Sequence, residues 1–465
     1  MMVPPTWLTP QARTVYSYLA GGLLYTEDGP WASDTLTNSY SNEKGSVPHN
    51  RMSMDAAGTR VYTYTLGNQL LTEDGPFGSD TVTNTYVNRL RTALSLQQPT
   101  GTWTNGFAYD AARRLTNVTS QAASFTNEYF PGVAGVSGYS SSLIKRLLLP
   151  NLSIITNDYD SVGRQLGTWL KTSTGTALDY YIYTYNPANQ RTNVTRTDSS
   201  TVAFQYDGIG QLKVANSSVN TEDCGYNYDA AWNLHYRTKN GVLSSATVDG
   251  KNQMTAFAGN NYLYDDNGNI SEGPPGGYRT YTYDDENRLT SVQVLSTWRS
   301  EFVYDGLGRM RKHYEYTWNG SSWVSSSSTG YVYDGMRVIQ ERNPSTSLSL
   351  VSYTRGNDLS GTLEGAGGIG GLLARSSGYS LSTGNWSTHY FYHADGNGNI
   401  TYMVDTNQAL AASYRYDPFG NTVSSSGTLA TAKCLSFFQQ RIPGQQRDVL
   451  LPLPLLRPQF AAVDK

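Results

Sequence analysis

The chain has 465 residues, of which 38% are hydrophobic and 15% are charged, and its formal net charge is −3. This near-neutral balance gives no long-range attraction for nucleic acid, and no apolar run is long enough for a membrane span. The 36 tyrosines and 45 glycines favour strands and tight turns over helical bundles. We therefore predict an all-β protein with neither a nucleic-acid partner nor a membrane span.

The N-terminal region shows no signal peptide, because its first residues contain neither a basic segment nor an apolar one. It does carry a repeat of its own. Residues 24–30 return almost unchanged as residues 70–76, and residues 33–38 return in the same register as residues 79–84. We expect residues 1–60 to form a region of degenerate repeats.

A second repeat, Tyr-Asp-x-x-Gly, governs the middle of the chain. Looser copies begin at Tyr109, Tyr228, Tyr283 and Tyr333. The residues of the five clear copies, which we predict to form structural repeat turns, are Tyr159, Asp160, Gly163, Tyr206, Asp207, Gly210, Tyr264, Asp265, Gly268, Tyr304, Asp305, Gly308, Tyr416, Asp417 and Gly420.

Each copy of the repeat has the pattern of a β-hairpin. Segments such as Tyr181-Ile182-Tyr183-Thr184-Tyr185 alternate with period two, which places the tyrosines on one face of a half-buried strand. The aspartate that follows can accept backbone N–H groups of the turn, and the glycine supplies its left-handed position. One hairpin is only marginally stable, so neighbouring copies must stack to bury their tyrosine and leucine faces.

These Tyr-Asp copies resemble the bacterial rearrangement-hotspot (Rhs) proteins and the YD-shell of teneurins. Two later stretches, residues 355–373 and 392–420, resemble the Rhs repeat-associated core. The resemblance implies a spiral shell of antiparallel β-hairpins, partial in this chain, with the YD-repeat shell over 61–345 and the core-like segment over 346–427. In such relatives the shell encloses a C-terminal toxin cargo or acts as an adhesive extracellular module.

The tail, residues 428–465, departs from this family. It has no tyrosine, and its proline-broken run 450–456 cannot pair as a central strand. The family would place a Tyr-rich strand, an Arg-Trp pair and autoproteolytic aspartates here. Codons shifted forward by one nucleotide from near Ala432 can encode such a segment, so we hypothesise a frameshifted tail; the alternative is a genuine divergent tail.

Three motifs match known ligand sites by letter, and each also has a structural interpretation. Glycines at positions 365, 367 and 370 match a dinucleotide fingerprint, but no strand-helix-strand pattern surrounds them. His389 and His393 lie four apart without further metal ligands. Asp265, Asn267 and Asn269 offer alternating oxygens as a calcium loop does, although Gly276 stands where an EF-hand requires glutamate. For all three we favour a structural interpretation and predict no metal and no cofactor.

Tryptophan and cysteine residues also leave alternatives open. Six tryptophans could stack on sugars, and the same side chains suit the core of a β-shell; they are Trp103, Trp169, Trp232, Trp298, Trp318 and Trp323. Cys224 and Cys434 are too few for a disulfide framework, and we expect both to be unpaired.

From the sequence we predict a non-catalytic shell segment related to toxin carriers that encapsulate and deliver a C-terminal effector. The resemblance implies a secreted or cell-surface location. The alternatives are an extracellular adhesive or carbohydrate-binding repeat protein and, from a third class, a self-cleaving aspartyl enzyme.

Overall fold

The computed structural model describes residues 14–29, 35–40, 50–130, 141–274 and 279–431. The hypothetical frameshifted tail from Ala432 onward, including Cys434, lies outside these residues. Among them, the only helical element is a short 3₁₀ turn over Asn220–Glu222, and no helix is long and apolar enough to cross a membrane. The predicted all-β class is confirmed.

The strands are short and follow one another closely along the chain. The first group is β1 (Val15–Tyr18), β2 (Leu24–Asp28), β3 (Leu36–Tyr40), β4 (Asn50–Asp55), β5 (Gly58–Tyr64), β6 (Leu70–Asp74), β7 (Val82–Val87), β8 (Leu90–Gln97), β9 (Thr102–Tyr109), β10 (Leu115–Ser120), β11 (Ala123–Tyr129) and β12 (Ile144–Leu148). The second group is β13 (Ile154–Tyr159), β14 (Gln165–Lys171), β15 (Ala177–Tyr185), β16 (Arg191–Arg196), β17 (Thr201–Tyr206), β18 (Leu212–Ser217), β19 (Cys224–Tyr228), β20 (Leu234–Lys239), β21 (Val242–Val248), β22 (Met254–Phe257), β23 (Asn260–Asn261), β24 (Leu263–Tyr264) and β25 (Ile270–Gly273). The third group is β26 (Arg279–Tyr283), β27 (Leu289–Val294), β28 (Trp298–Tyr304), β29 (Met310–Trp318), β30 (Trp323–Asp334), β31 (Arg337–Arg342), β32 (Ser349–Arg355), β33 (Leu372–Tyr379), β34 (Trp386–Ala394), β35 (Ile400–Val404), β36 (Leu410–Tyr416) and β37 (Thr422–Ser426).

The chain divides into two compact units, and each combines distant parts of the sequence. Unit 1 comprises residues 1–104, 280–351 and 379–385, and unit 2 comprises the remainder. The four-segment division derived from the sequence stays a prediction, since it describes repeat types rather than compact units.

Strands that are neighbours in sequence pair antiparallel in both units. Unit 1 contains the ladders β1–β8 and β27–β31. Unit 2 contains long ladders from β9 to β23 and from β34 to β37. This is the order that short hairpin turns dictate, because a tight turn returns the chain beside the strand it has just left.

Tyrosine supplies much of the buried surface of unit 2, as the alternation in the sequence predicts. One core cluster contains Tyr183 and Tyr226 together with Val194, Val202 and Cys224. The sixth member is Ala215, and half-buried tyrosines from the same strands pack around the cluster. Neighbouring hairpins thus bury their faces against one another, which makes the repeat array cooperative.

Candidate functional site

The repeat turns are the most regular chemical feature of the chain. In each of the five clear copies, one carboxylate oxygen of the aspartate accepts the backbone N–H groups two and four residues later, at 2.8–3.0 Å. The aspartates concerned are Asp160, Asp207, Asp265, Asp305 and Asp417. Polar groups that the turn would leave unpaired are thereby satisfied inside the turn itself.

The second carboxylate oxygen binds the side chain that follows the glycine. Gln211 Nε2 donates to Asp207 Oδ2 at 3.0 Å, and Asn421 Nδ2 donates to Asp417 Oδ2 at 2.7 Å. Arginine takes this position after Asp160 and after Asp305, and asparagine takes it after Asp265. The residue after the glycine is thus part of the turn.

The glycines occupy the left-handed region that the repeat pattern predicts. Their φ angles lie between +72° and +91°; the glycines are Gly163, Gly210, Gly268, Gly308 and Gly420. A side chain at such a position is strained, because its Cβ approaches the neighbouring carbonyl.

In three of the five clear copies, the repeat tyrosine binds a strand that precedes it. Tyr206, Tyr264 and Tyr416 each end an outgoing strand, and each hydroxyl donates at 2.8 Å to a backbone carbonyl. That carbonyl belongs to the first residue of the preceding returning strand, β16, β22 or β35 respectively. Tyr159 and Tyr304 are more deeply enclosed, and burial raises the pKa of each to about 12.

One repeat turn of unit 1 is built into a buried cluster of charges. Asp305 is 1% exposed, and its Oδ2 lies 2.8 Å from Arg309 Nε, 3.4 Å from Arg311 Nε and 3.7 Å from Arg60 Nη1. Glu73 binds Arg309 Nη2 from the other side at 2.6 Å. Burial alone would raise the pKa of Asp305, but the three guanidinium groups outweigh it and lower the pKa.

A buried histidine connects distant strands within unit 2. His393 Nδ1 lies 2.9 Å from Asp179 Oδ2, and His393 Nε2 lies 3.0 Å from Thr168 Oγ1. Thr401 donates to the same Asp179 oxygen at 2.6 Å. Burial would raise the pKa of Asp179, but the hydrogen bonds and the charge of its partners lower it.

The order of these contacts is that of a nucleophile, a base and an orienting acid. Thr168 and His393 are however only 2% and 1% exposed, so no substrate reaches the hydroxyl. His389 has a separate partner, since its Nδ1 lies 2.8 Å from Ser376 Oγ. His389 and His393 both lie on β34, but each binds its own partner, so the two side chains do not form a joint metal site.

The calcium-loop motif at Asp265 and the glycine-rich motif at residues 365–370 both form turns in the structure. The carboxylate of Asp265 is occupied by the N–H groups of its own turn and by the Asn269 amide, as an Asx turn requires. Asp358 Oδ2 accepts N–H groups of Ala366 and Gly368, which folds the glycine-rich segment onto itself before β33. Neither arrangement has the geometry of the calcium site or the dinucleotide site that its sequence motif resembles.

Three consecutive acidic residues follow Tyr283, which begins one of the looser repeats. Oxygens of Asp284, Asp285 and Glu286 lie within 4.8 Å of one another. Asp284 also binds the backbone and guanidinium of Arg288, as the turn aspartates do. Burial, and then the neighbouring carboxylates, raise the pKa of Glu286 to about 7.

The six tryptophans have different environments. Trp103 and Trp298 are buried core residues, at 0% and 7% exposure. Trp318 and Trp323 pack edge to face at a centroid distance of 5.2 Å. Trp232 is 60% exposed on a turn, and Trp169 lines a groove that is described below.

Neither buried polar cluster was predicted from the sequence. The sequence did contain a signal for the first cluster: Arg309 directly precedes β29, and Arg311 and His313 follow within the strand at every second residue. This alternation places three basic side chains on one face. Nothing in the sequence joins His393 to Asp179, because 214 residues separate them.

Comparisons with known proteins agree with this architecture. A family model described as the teneurin YD-shell matches residues 188–319. The crystal structure of TcdB2-TccC3 covers 91% of this chain at a TM-score of 0.61 and 13% identity, and the match spans 24% of that chain. Residues 188–319 are thus similar to the teneurin YD-shell, and the chain shares the fold of the TcdB2-TccC3 shell. The crystal structure of TcdB2-TccC3-Cdc42 gives a TM-score of 0.52 over the same share of the chain, also at 13% identity, and spans 26% of that chain.

Curated relatives of this chain are much longer. The tRNA3(Ser)-specific nuclease WapA of Bacillus spizizenii and the tRNA nuclease WapA of Bacillus subtilis (strain 168) are each 26% identical to it over 253 residues. The match covers 52% of this chain but only 8% of either nuclease. The similarity therefore concerns a small part of each relative.

Proposed function

We propose that this chain is a non-catalytic segment of a shell that encloses a C-terminal effector, as in toxin carriers. The observation that carries the proposal is the shared fold with TcdB2-TccC3 over 91% of the chain. We further propose a secreted or cell-surface location and a structural role for the five repeat turns.

The chemistry of the described residues supports a structural role. The repeat carboxylates are occupied by their own turns, and the histidine triad of unit 2 is closed to solvent. Hydrogen-bond networks of this kind fix one arrangement of strands, as a structural segment requires.

Encapsulation can be tested with a protease-sensitive reporter fused to the C-terminus of the full chain. We expect the enclosed reporter to be digested at least about tenfold more slowly than the same reporter fused to an unrelated folded protein, since proteolysis follows the accessible population. Equal digestion rates, with the shell itself intact on the gel, would contradict encapsulation.

The absence of catalysis has its own test, because the curated relatives are tRNA nucleases. Purified full chain is incubated with total tRNA and with Mg²⁺, and the RNA is examined on a denaturing gel. We expect the tRNA to remain intact. Cleavage that persists after a further purification step would refute the non-catalytic assignment.

A further inference from the structure

A shallow groove of about 260 Å³ lies across the neighbouring strands β12, β13 and β14 of unit 2. The residues that matter for its chemistry are Lys145, Arg146, Thr156, Trp169 and Lys171. Its volume is below the ~300–1,000 Å³ of pockets for drug-sized ligands, so it suits a smaller group.

The strand register explains how the groove forms. Arg146 pairs with Thr156, and Thr156 pairs with Trp169, so these side chains form one row on one face of the sheet. Gly167, two residues before Trp169, lies under the indole: a Cβ on this glycine would be 2.3 Å from the ring. The absence of a side chain at Gly167 thus lets the Trp169 ring cover the strand.

Two lysines give the groove an excess of positive charge. Lys171 Nζ lies 5.6 Å from the centre of the Trp169 ring, and Lys145 Nζ lies 5.6 Å from that of Phe130. Arg146 is neutralised by Glu128 at 3.0 Å, whereas neither lysine has an ion pair among the described residues. The lysines outnumber the carboxylate of Asp158, the acidic residue of the lining.

A hydroxyl beside the groove lacks a partner. Thr156 Oγ1 is shielded from solvent and makes no hydrogen bond within the described part of the chain. A buried polar atom without a partner is costly, and native proteins usually pair such atoms with a protein group or an ordered water.

We propose that this groove binds an anionic saccharide residue, of the hexuronate class. Its carboxylate would lie between Lys145 and Lys171, its apolar ring face would pack on Trp169, and one of its hydroxyls would bind Asp158. An aromatic platform combined with cations and hydroxyl partners suits a charged sugar. A nucleic acid is disfavoured by the net charge of −3.

The test is a titration of the full chain with trigalacturonate, followed by tryptophan fluorescence and calorimetry. Trp169→Ala should weaken binding at least about tenfold, because ring stacking and its buried area are lost. The double variant Lys145→Gln/Lys171→Gln should weaken it by a similar factor and abolish most of its salt dependence. Lys145 is exposed and Lys171 is half-buried, and glutamine retains much of the aliphatic part of each side chain, so we expect this variant to keep the fold, as circular dichroism should verify.

Matched controls are Trp232→Ala and Lys213→Gln, which alter exposed residues of the same unit outside the groove. Both should bind as the unaltered chain does. The proposal fails if the unaltered chain shows no saturable signal, or if Trp169→Ala binds as tightly as Trp232→Ala. It also fails if neutral maltotriose binds equally well, or if polyphosphate binds equally well without dependence on Trp169.

Discussion

At the scale of single residues, one aspartate holds each repeat turn together. Asp207 accepts the N–H groups of Ile209 and Gln211 with one oxygen and the Gln211 side chain with the other. A carboxylate that makes three hydrogen bonds fixes the turn geometry, and that geometry sets the register of the next strand.

We therefore expect Asp207→Ala to lower the free energy of unfolding by about 1–3 kcal/mol, because two backbone donors lose their acceptor. Urea denaturation followed by circular dichroism measures this change. The control is Asp266→Ala, since Asp266 is exposed and follows a turn aspartate without belonging to the network. Equal losses in both variants would show that the turn carboxylate has no special role.

A second prediction at this scale concerns acid. Burial alone would raise the pKa of Asp198, but hydrogen bonds from Ser200 and Arg415 outweigh it and lower the pKa to about 2. The folded value is below the unfolded value of about 3.9, so the ionised carboxylate stabilises the fold above that pH. This contribution is lost as the pH falls from about 4 to about 2.

The measurement is the free energy of unfolding over this acid range for the unaltered chain and for Asp198→Asn. The variant should show a smaller dependence on pH, because it lacks one of the titrating groups. Identical slopes in the two proteins would mean that Asp198 keeps its ordinary pKa in the folded state.

At the scale of elements, the tyrosine hydroxyl joins one hairpin to the preceding one. Tyr206, at the end of β17, donates to the carbonyl of Arg191, at the start of β16. The same contact recurs at Tyr264 and Tyr416, so it belongs to the repeat rather than to one site. At these three positions the hydroxyl gives tyrosine a role that phenylalanine could not fill.

Tyr206→Phe should lower the free energy of unfolding by about 1 kcal/mol, since it removes one hydrogen bond and little packing. The control Tyr236→Phe alters a partly exposed tyrosine of the same ladder. Urea denaturation of the two variants compares the effects. A loss in Tyr236→Phe as large as that in Tyr206→Phe would contradict the assignment of a specific inter-repeat bond.

At the scale of the whole molecule, open strand edges determine association. Within the described residues, β37 pairs with β36 alone. An edge with free N–H and C=O groups can pair with another chain. We expect the isolated chain to form aggregates or an edge-to-edge oligomer in light scattering. A monodisperse monomer at concentrations above about 10 µM would contradict this expectation, because edge pairing depends on concentration.

Much of the hairpin architecture could be predicted from local sequence. A period of two, followed by Asp and Gly at fixed spacing, encodes strand, turn and returning strand within about 20 residues. The tyrosines of β15 alternate with exposed residues as that pattern requires. These features depend on bonds between residues close in the chain, so the sequence contains the information.

What only the tertiary structure decided are the contacts between distant strands. The pairing of His393 with Asp179, the closure of Arg60, Arg309 and Arg311 around Asp305, and the groove at Trp169 all depend on packing. Repeats of one sequence pattern look alike locally, yet the repeat aspartate Asp305 is fully buried and the repeat aspartate Asp229 is exposed to solvent. The amino-acid sequence by itself determined the hairpin unit. Only the stacking of hairpins determined which polar side chains became buried pairs and which remained free to bind a ligand. The reason is that burial depends on neighbouring strands, which no local sequence pattern specifies.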